Sequence, residues 1–122
     1  MSFGDDINEK PTLDTRVLQQ LRHDLGDEEG ESGTLAMLLG DYKTDAAKLI
    51  VDMHRAISEK DARLLQRSAH TLKSNSAMFG AVRLSAMNKN LEAMGREGIL
   101  EGAAEKIASV EEEFERVKAA LP

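Results

Sequence analysis

The chain has no cysteine and no tryptophan, and aromatic residues fill only 3% of its 122 positions. Without cysteine there is no disulfide, no thiolate metal ligand and no cysteine nucleophile. A core with so few rings must be built from Leu, Ile, Val, Met and Ala, taken together a helix-favouring palette. No run approaches the ~20 apolar residues needed to span a bilayer. Positive charge is also in short supply: 16 Lys and Arg stand against 22 Asp and Glu, for a net charge of −6. That balance argues against a broad basic face for nucleic acid. The opening residues, MSFGDDINEKPTLD, carry acids early and lack an apolar stretch, so they do not read as a signal peptide. The expectation is a cytoplasmic protein of one domain, with neither membrane nor nucleic acid as partner. A soluble domain cut from a larger membrane receptor would have the same composition.

What the chain does have is helical periodicity. Residues 1–11 show no period and read as a flexible leader. The first helix is expected over Thr12–Leu25, with Thr12 as N-cap, the stripe Leu13, Val17, Leu18, Leu21 and Leu25, and Gly26 as its stop. GDEEGESG (26–33) reads as a linker. A long helix follows from Ser32 or Thr34 to Ile57 or Ser58, on the stripe Leu35, Leu38, Leu39, Tyr42, Ala46, Leu49, Ile50, Met53 and Ile57. Asp61 is placed to cap the next helix, which is expected to end at Gly80. Leu84, Met87, Leu91 and Met94 mark another, broken by GREG (95–98), and Ile107, Val110, Phe114, Val117 and Leu121 mark the last. No segment alternates with a period of two, so no sheet is expected. Short connections favour antiparallel neighbours. The expected fold is all-α: one domain over 12–122, with an antiparallel up-down four-helix bundle over about 34–121 and an additional short N-terminal helix.

Within AHTLKSNSAMFGA (69–81) sits a histidine that the helical pattern does not absorb. Leu65, Ala69, Leu72, Ser76 and Phe79 form the stripe, and His70 points well away from it. Arg63, Gln66, Arg67, Lys73, Ser74 and Ala77 share its face, giving three cations and no carboxylate. Such a face is often merely solvated. It also suits reversible phosphorylation of the ring. The ordinary imidazole pKa of ~6.5 leaves a nucleophilic nitrogen near neutral pH. Phosphoryl transfer asks chiefly for in-line positioning and charge neutralisation. Lys73 and Arg67, at i+3 and i−3, are placed to offset phosphate charge. Ser74 and Ala77, small residues at i+4 and i+7, leave room for a partner carrying an acyl phosphate.

This stretch resembles the signature of histidine phosphotransfer (HPt) domains: alanine, histidine, a small or polar residue, leucine and lysine, then small residues and a late glycine. SEKDARLLQRSAHTLK resembles the family's acid-capped histidine helix, and LSAMNKNLEAMGREGILEGA its fourth helix and glycine-marked turn. The likeness spans roughly Leu35 to Leu121. It implies that His70 is the phosphoacceptor, that Lys73 stabilises the phosphorylated state, and that Phe79 and Gly80 close the helix. Ser74 departs from the glycine usual after the lysine, and Met78 stands where asparagine is common. The resemblance further implies a phosphorelay intermediate whose partners are response-regulator receiver domains and/or a hybrid histidine kinase. The receiver would dock over the faces of the 34–58 and 61–80 helices, with Arg63, Gln66, Ser74 and Ala77 in the contact. Mg²⁺ would belong to the receiver alone, leaving this chain, expected as a monomer, without cofactor or metal. Two alternatives stay open: the phosphoacceptor domain of a larger chemotaxis-type or hybrid kinase, and a helical interaction module without chemistry.

Other residues add less. His23 and His54 read as surface side chains. With no HxxxH or HExxH spacing and no acid beside His70 in the sequence, no metal site is expected. VEEEFER (110–116) reads as a solvated acidic face around one core aromatic, and the six methionines fall mostly at core spacing. No P-loop is present, so phosphorylation from ATP by the chain itself is not expected.

Overall fold

The structure, a computed structural model, describes residues 5–122, with side chains from residue 7 onward. Six helices and no strand occur among them: α1 (Asp5–Glu9), α2 (Thr15–Leu25), α3 (Thr34–Ser58), α4 (Ala62–Met78), α5 (Val82–Glu97) and α6 (Ala103–Ala120). The predicted stripes face inward. Leu35, Leu39, Tyr42, Ala46, Ile50 and Met53 from α3 meet Leu65, Ala69 and Leu72 from α4. Leu84 and Leu91 from α5 and Ile107, Val110, Phe114 and Val117 from α6 complete the core. Phe114 meets Tyr42 edge-on, with ring centroids 6.5 Å apart. The Tyr42 hydroxyl is hydrogen-bonded to Ser76 Oγ at 2.8 Å. Burial pushes that phenol up to about 12, although the Ser76 contact opposes the shift.

Two glycines set how the helices join. Gly80 has φ +83°, and its carbonyl accepts from Asp14 N at 2.8 Å. A Cβ there would lie 2.6 Å from Asp14 O, so the α4–α5 turn and the start of α2 touch backbone to backbone. Gly95 is a correction to the expected break. It lies inside α5, buried, and a Cβ on it would fall 2.5 Å from Gln66 N and 2.8 Å from Ala62 O. The residue that looks like a helix breaker is the one that lets α5 lie against α4. Gly98, in the left-handed region, is the actual cap.

The N-terminal third differs in detail from the expectation. Residues 1–4 lie outside the described residues. Asp5–Glu9, expected as part of a loose leader, is a short helix. The Arg83 guanidinium of α5 donates to Lys10 O at 2.8 Å and Asn8 O at 3.3 Å, which fastens the segment to the bundle. Asp14, not Thr12, caps α2 by accepting from Arg16 N. Asp61 caps α4 as expected, accepting from Leu64 N at 3.0 Å, although the helix ends at Met78. In the 26–33 linker Asp27 is buried. Its carboxylate accepts from Leu35 N and Ser32 N, both at 3.0 Å, and supplies the cap that Gly33 at the N-cap position of α3 cannot. The Leu35 amide, helped by Ser32, holds the Asp27 carboxyl below its ordinary value despite burial.

Candidate functional site

α4 turns one side to the core and the other outward, because its apolar positions recur at steps of three and four. Arg63, Arg67, His70, Ser74 and Ala77 are exposed, Gln66 and Lys73 are half-buried, and Phe79 and Gly80 are buried at the helix end. The His70 side chain is 61% exposed. The helix therefore brings together the face that its periodicity predicts.

One expectation fails there. The face carries a carboxylate, supplied by the next helix: Glu92 of α5, whose side chain is only 7% exposed. Its Oε2 is paired with His70 Nδ1, and its Oε1 accepts from Lys73 Nζ at 2.7 Å. The Arg96 guanidinium stands 3.4 Å from the same Oε1. The close α4–α5 approach at Gly95 puts Glu92, one turn earlier, beside the ring. Ser85 Oγ of α5 reinforces the contact by donating to Lys73 O at 2.9 Å. α5 thus supplies the imidazole's hydrogen-bond partner.

Glu92 escapes a reading of α4 because periodicity describes one helix at a time. A signal was nevertheless present in α5. Leu84, Asn88, Leu91, Glu92 and Gly95 share its buried stripe, and an acid on such a stripe needs a cation or donor opposite it. Burial raises the Glu92 carboxyl, but the Lys73 and His70 hydrogen bonds and charges outweigh it and hold the group below its ordinary 4.5.

The chemistry of the arrangement follows. A carboxylate at Nδ1 selects the tautomer with its proton on that nitrogen. The lone pair then lies on Nε2, which has no hydrogen-bond partner among the described residues. The ring is oriented from behind and open in front. Arg63 and Arg67 make no ion pair among the described residues and remain on the exposed face with the ring. The other two histidines also face acids, His23 with Glu28 and His54 with Glu111, yet those acids are 61% and 48% exposed, whereas Glu92 is buried. No group of three or more metal-binding side chains occurs among the described residues. The 110–116 segment is corrected in one respect: Glu113 is buried and not solvated.

Comparison with known proteins identifies the family and the fold. The model of the Hpt domain family matches residues 37–120. The chain is 34% identical to histidine-containing phosphotransfer protein B (HptB) from Pseudomonas aeruginosa PAO1, whose crystal structure superposes with a TM-score of 0.81 over 89% of this chain and 90% of that one. It is 29% identical over 113 residues to multistep phosphorelay regulator 1 of Schizosaccharomyces pombe. That match takes in 88% of this chain and spans 38% of the yeast protein's length. The all-helical bundle, the outward histidine and the family match converge, and the chain belongs to the Hpt domain family, the histidine phosphotransfer domains of phosphorelays.

Proposed function

We propose that His70 is the phosphoacceptor and that Nε2 is the nitrogen that carries the phosphoryl group. A single observation supports this most: an exposed imidazole whose rear nitrogen is held by a buried carboxylate. The proposed donor is the aspartyl phosphate of a response-regulator receiver domain or a hybrid histidine kinase, and the acceptor a second receiver. Glu92 keeps the proton on Nδ1 and balances the positive charge that grows on the ring as Nε2 is phosphorylated. Lys73 offsets the charge of the phosphoryl oxygens, with Arg67 behind it. Ser74 and Ala77 leave the approach open, and Arg63 and Gln66 flank it. The Mg²⁺ for the step belongs to the receiver's acidic pocket, so this chain contributes no metal.

We further read residues 12–122 as a single domain that acts as a cytoplasmic monomer without nucleic acid. The net charge of −6 supports the last point, and no described helix is long and apolar enough to cross a membrane. The local cations around His70 favour an acidic partner more than the whole-chain charge suggests.

The test is acid-labile ³²P uptake from a phosphorylated receiver. The wild-type chain should take up label and His70→Gln should take up none. Equal labelling of His70→Gln would refute the assignment.

A further inference from the structure

Glu92 Oε1 faces two cations from different helices, and only one of them is close. Lys73 Nζ lies at 2.7 Å, while Arg96, one turn beyond Glu92 on α5, stands at 3.4 Å with a side chain 59% exposed. The ring holds the other oxygen. In this arrangement Lys73 is committed to the carboxylate, not to an incoming phosphate. Arg96 is the spare.

The transfer step upsets that balance. The Nε2 lone pair forms the N–P bond, and the P–O bond of the partner's acyl phosphate breaks with its electron pair left on the aspartate carboxylate. The ring keeps its Nδ1 proton and becomes a phosphoimidazolium, its positive side toward Glu92 and its dianionic phosphoryl group outward. Lys73 shares the helix face of His70 at i+3, within reach of those oxygens. A dianion attracts an ammonium more strongly than a carboxylate already shared with two other groups.

We infer that Arg96 is a relief cation: as Lys73 turns from Glu92 to the phosphoryl oxygens, Arg96 closes on Oε1 and takes its place. The inference rests on the proposed phosphorylation of His70. Arg96 touches neither the ring nor the phosphoryl group and acts through Glu92, which makes it a positioning residue. Its planar fork suits a carboxylate that loses its first partner.

The experiment uses the full chain, phosphorylated with potassium phosphoramidate, as wild type, Arg96→Ala, Arg96→Lys, Lys73→Ala and the Lys73→Ala/Arg96→Ala double variant. Arg96→Ala should leave thermal unfolding unchanged and shorten the phosphohistidine half-life about two- to fivefold, the range open to a partly exposed ion pair. Arg96→Lys should restore most of the loss. In the Lys73→Ala background the same Arg96 change should have a smaller effect, because no hand-over remains to be relieved. The Lys73 ammonium resonance should shift on phosphorylation in wild type and shift less in Arg96→Ala. An unchanged half-life in Arg96→Ala, or an equal factor in both backgrounds, overturns the inference. A wild-type chain that takes no phosphoryl group overturns the His70 reading itself, and this inference with it.

Discussion

Glu92 on α5 and Glu113 on α6 are both acids inside an apolar bundle, 7% and 1% exposed, and cations from different parts of the chain meet each of them. Their partners separate them. Glu113 Oε1 takes Arg116 at 3.1 Å and Arg83 at 3.5 Å, while its Oε2 has no partner among the described residues. Both partners carry permanent charge. Arg83 also grips the backbone at Asn8 and Lys10, so the cluster ties the N-terminal segment to α5 and α6. Glu92 instead has both oxygens engaged, one of them by the His70 imidazole, which stands in solvent. A buried acid is therefore not a sign of chemistry in itself. The identity and exposure of what it holds decide the matter.

Removing the Glu92 carboxylate should separate the two regions most sharply. Glu92→Ala removes a charge-assisted hydrogen bond to the proposed phosphoacceptor ring, and phosphotransfer to His70 should slow about ten- to hundredfold. Rapid-quench transfer from a labelled receiver measures this, and wild-type rates in a folded Glu92→Ala chain would place Glu92 with Glu113 as structural. Gly95→Ala comes next. Its methyl must push α4 and α5 apart against backbone atoms, at a stability cost of about 1–3 kcal/mol measurable by urea unfolding. Because that movement also draws Glu92 from the ring, transfer should slow with it.

Glu113→Gln should lower stability by about 1 kcal/mol and leave the transfer rate of the folded chain unchanged. A loss of transfer there would erase the contrast. The pH dependence of stability gives the smallest difference. The Glu92 carboxyl lies below its ordinary 4.5 in the fold, so its stabilising contribution is complete above that value. It disappears as the pH falls through the lower folded value. Glu92→Gln should lose less stability than wild type between about pH 6 and pH 3, with Asp14 and Asp27, also held low, supplying the acid dependence that remains. Identical slopes in the two chains would contradict the shift.

How much of this the sequence reveals depends on whether a feature lives on one helix or between two. The stripes of α3, α4 and α6 are legible because each apolar repeat states which way its own helix must face. His70 is legible for the same reason, standing opposite such a stripe. Gly95 is not: a glycine inside a helix and one that ends it look alike until the α4 backbone is seen against it. Glu92 and Glu113 are hidden too: Arg96 and Arg116 stand one turn along the same helices, but the partners that join each acid to another helix, Lys73 and Arg83, lie 19 and 30 residues away. Thr12 and Asp14 both suit an N-cap, and the contact of Gly80 O with Asp14 N marks the place where α2 begins.

The claim that Glu92 fixes the ring so that Nε2 reacts can be read from the His70 nitrogens themselves. Long-range ¹H–¹⁵N spectra of the free chain, then of the phosphoramidate-treated chain, should show the neutral ring protonated at Nδ1 and ³¹P coupling on Nε2. A phosphoryl group on Nδ1, or on His23 or His54 in its place, would contradict it.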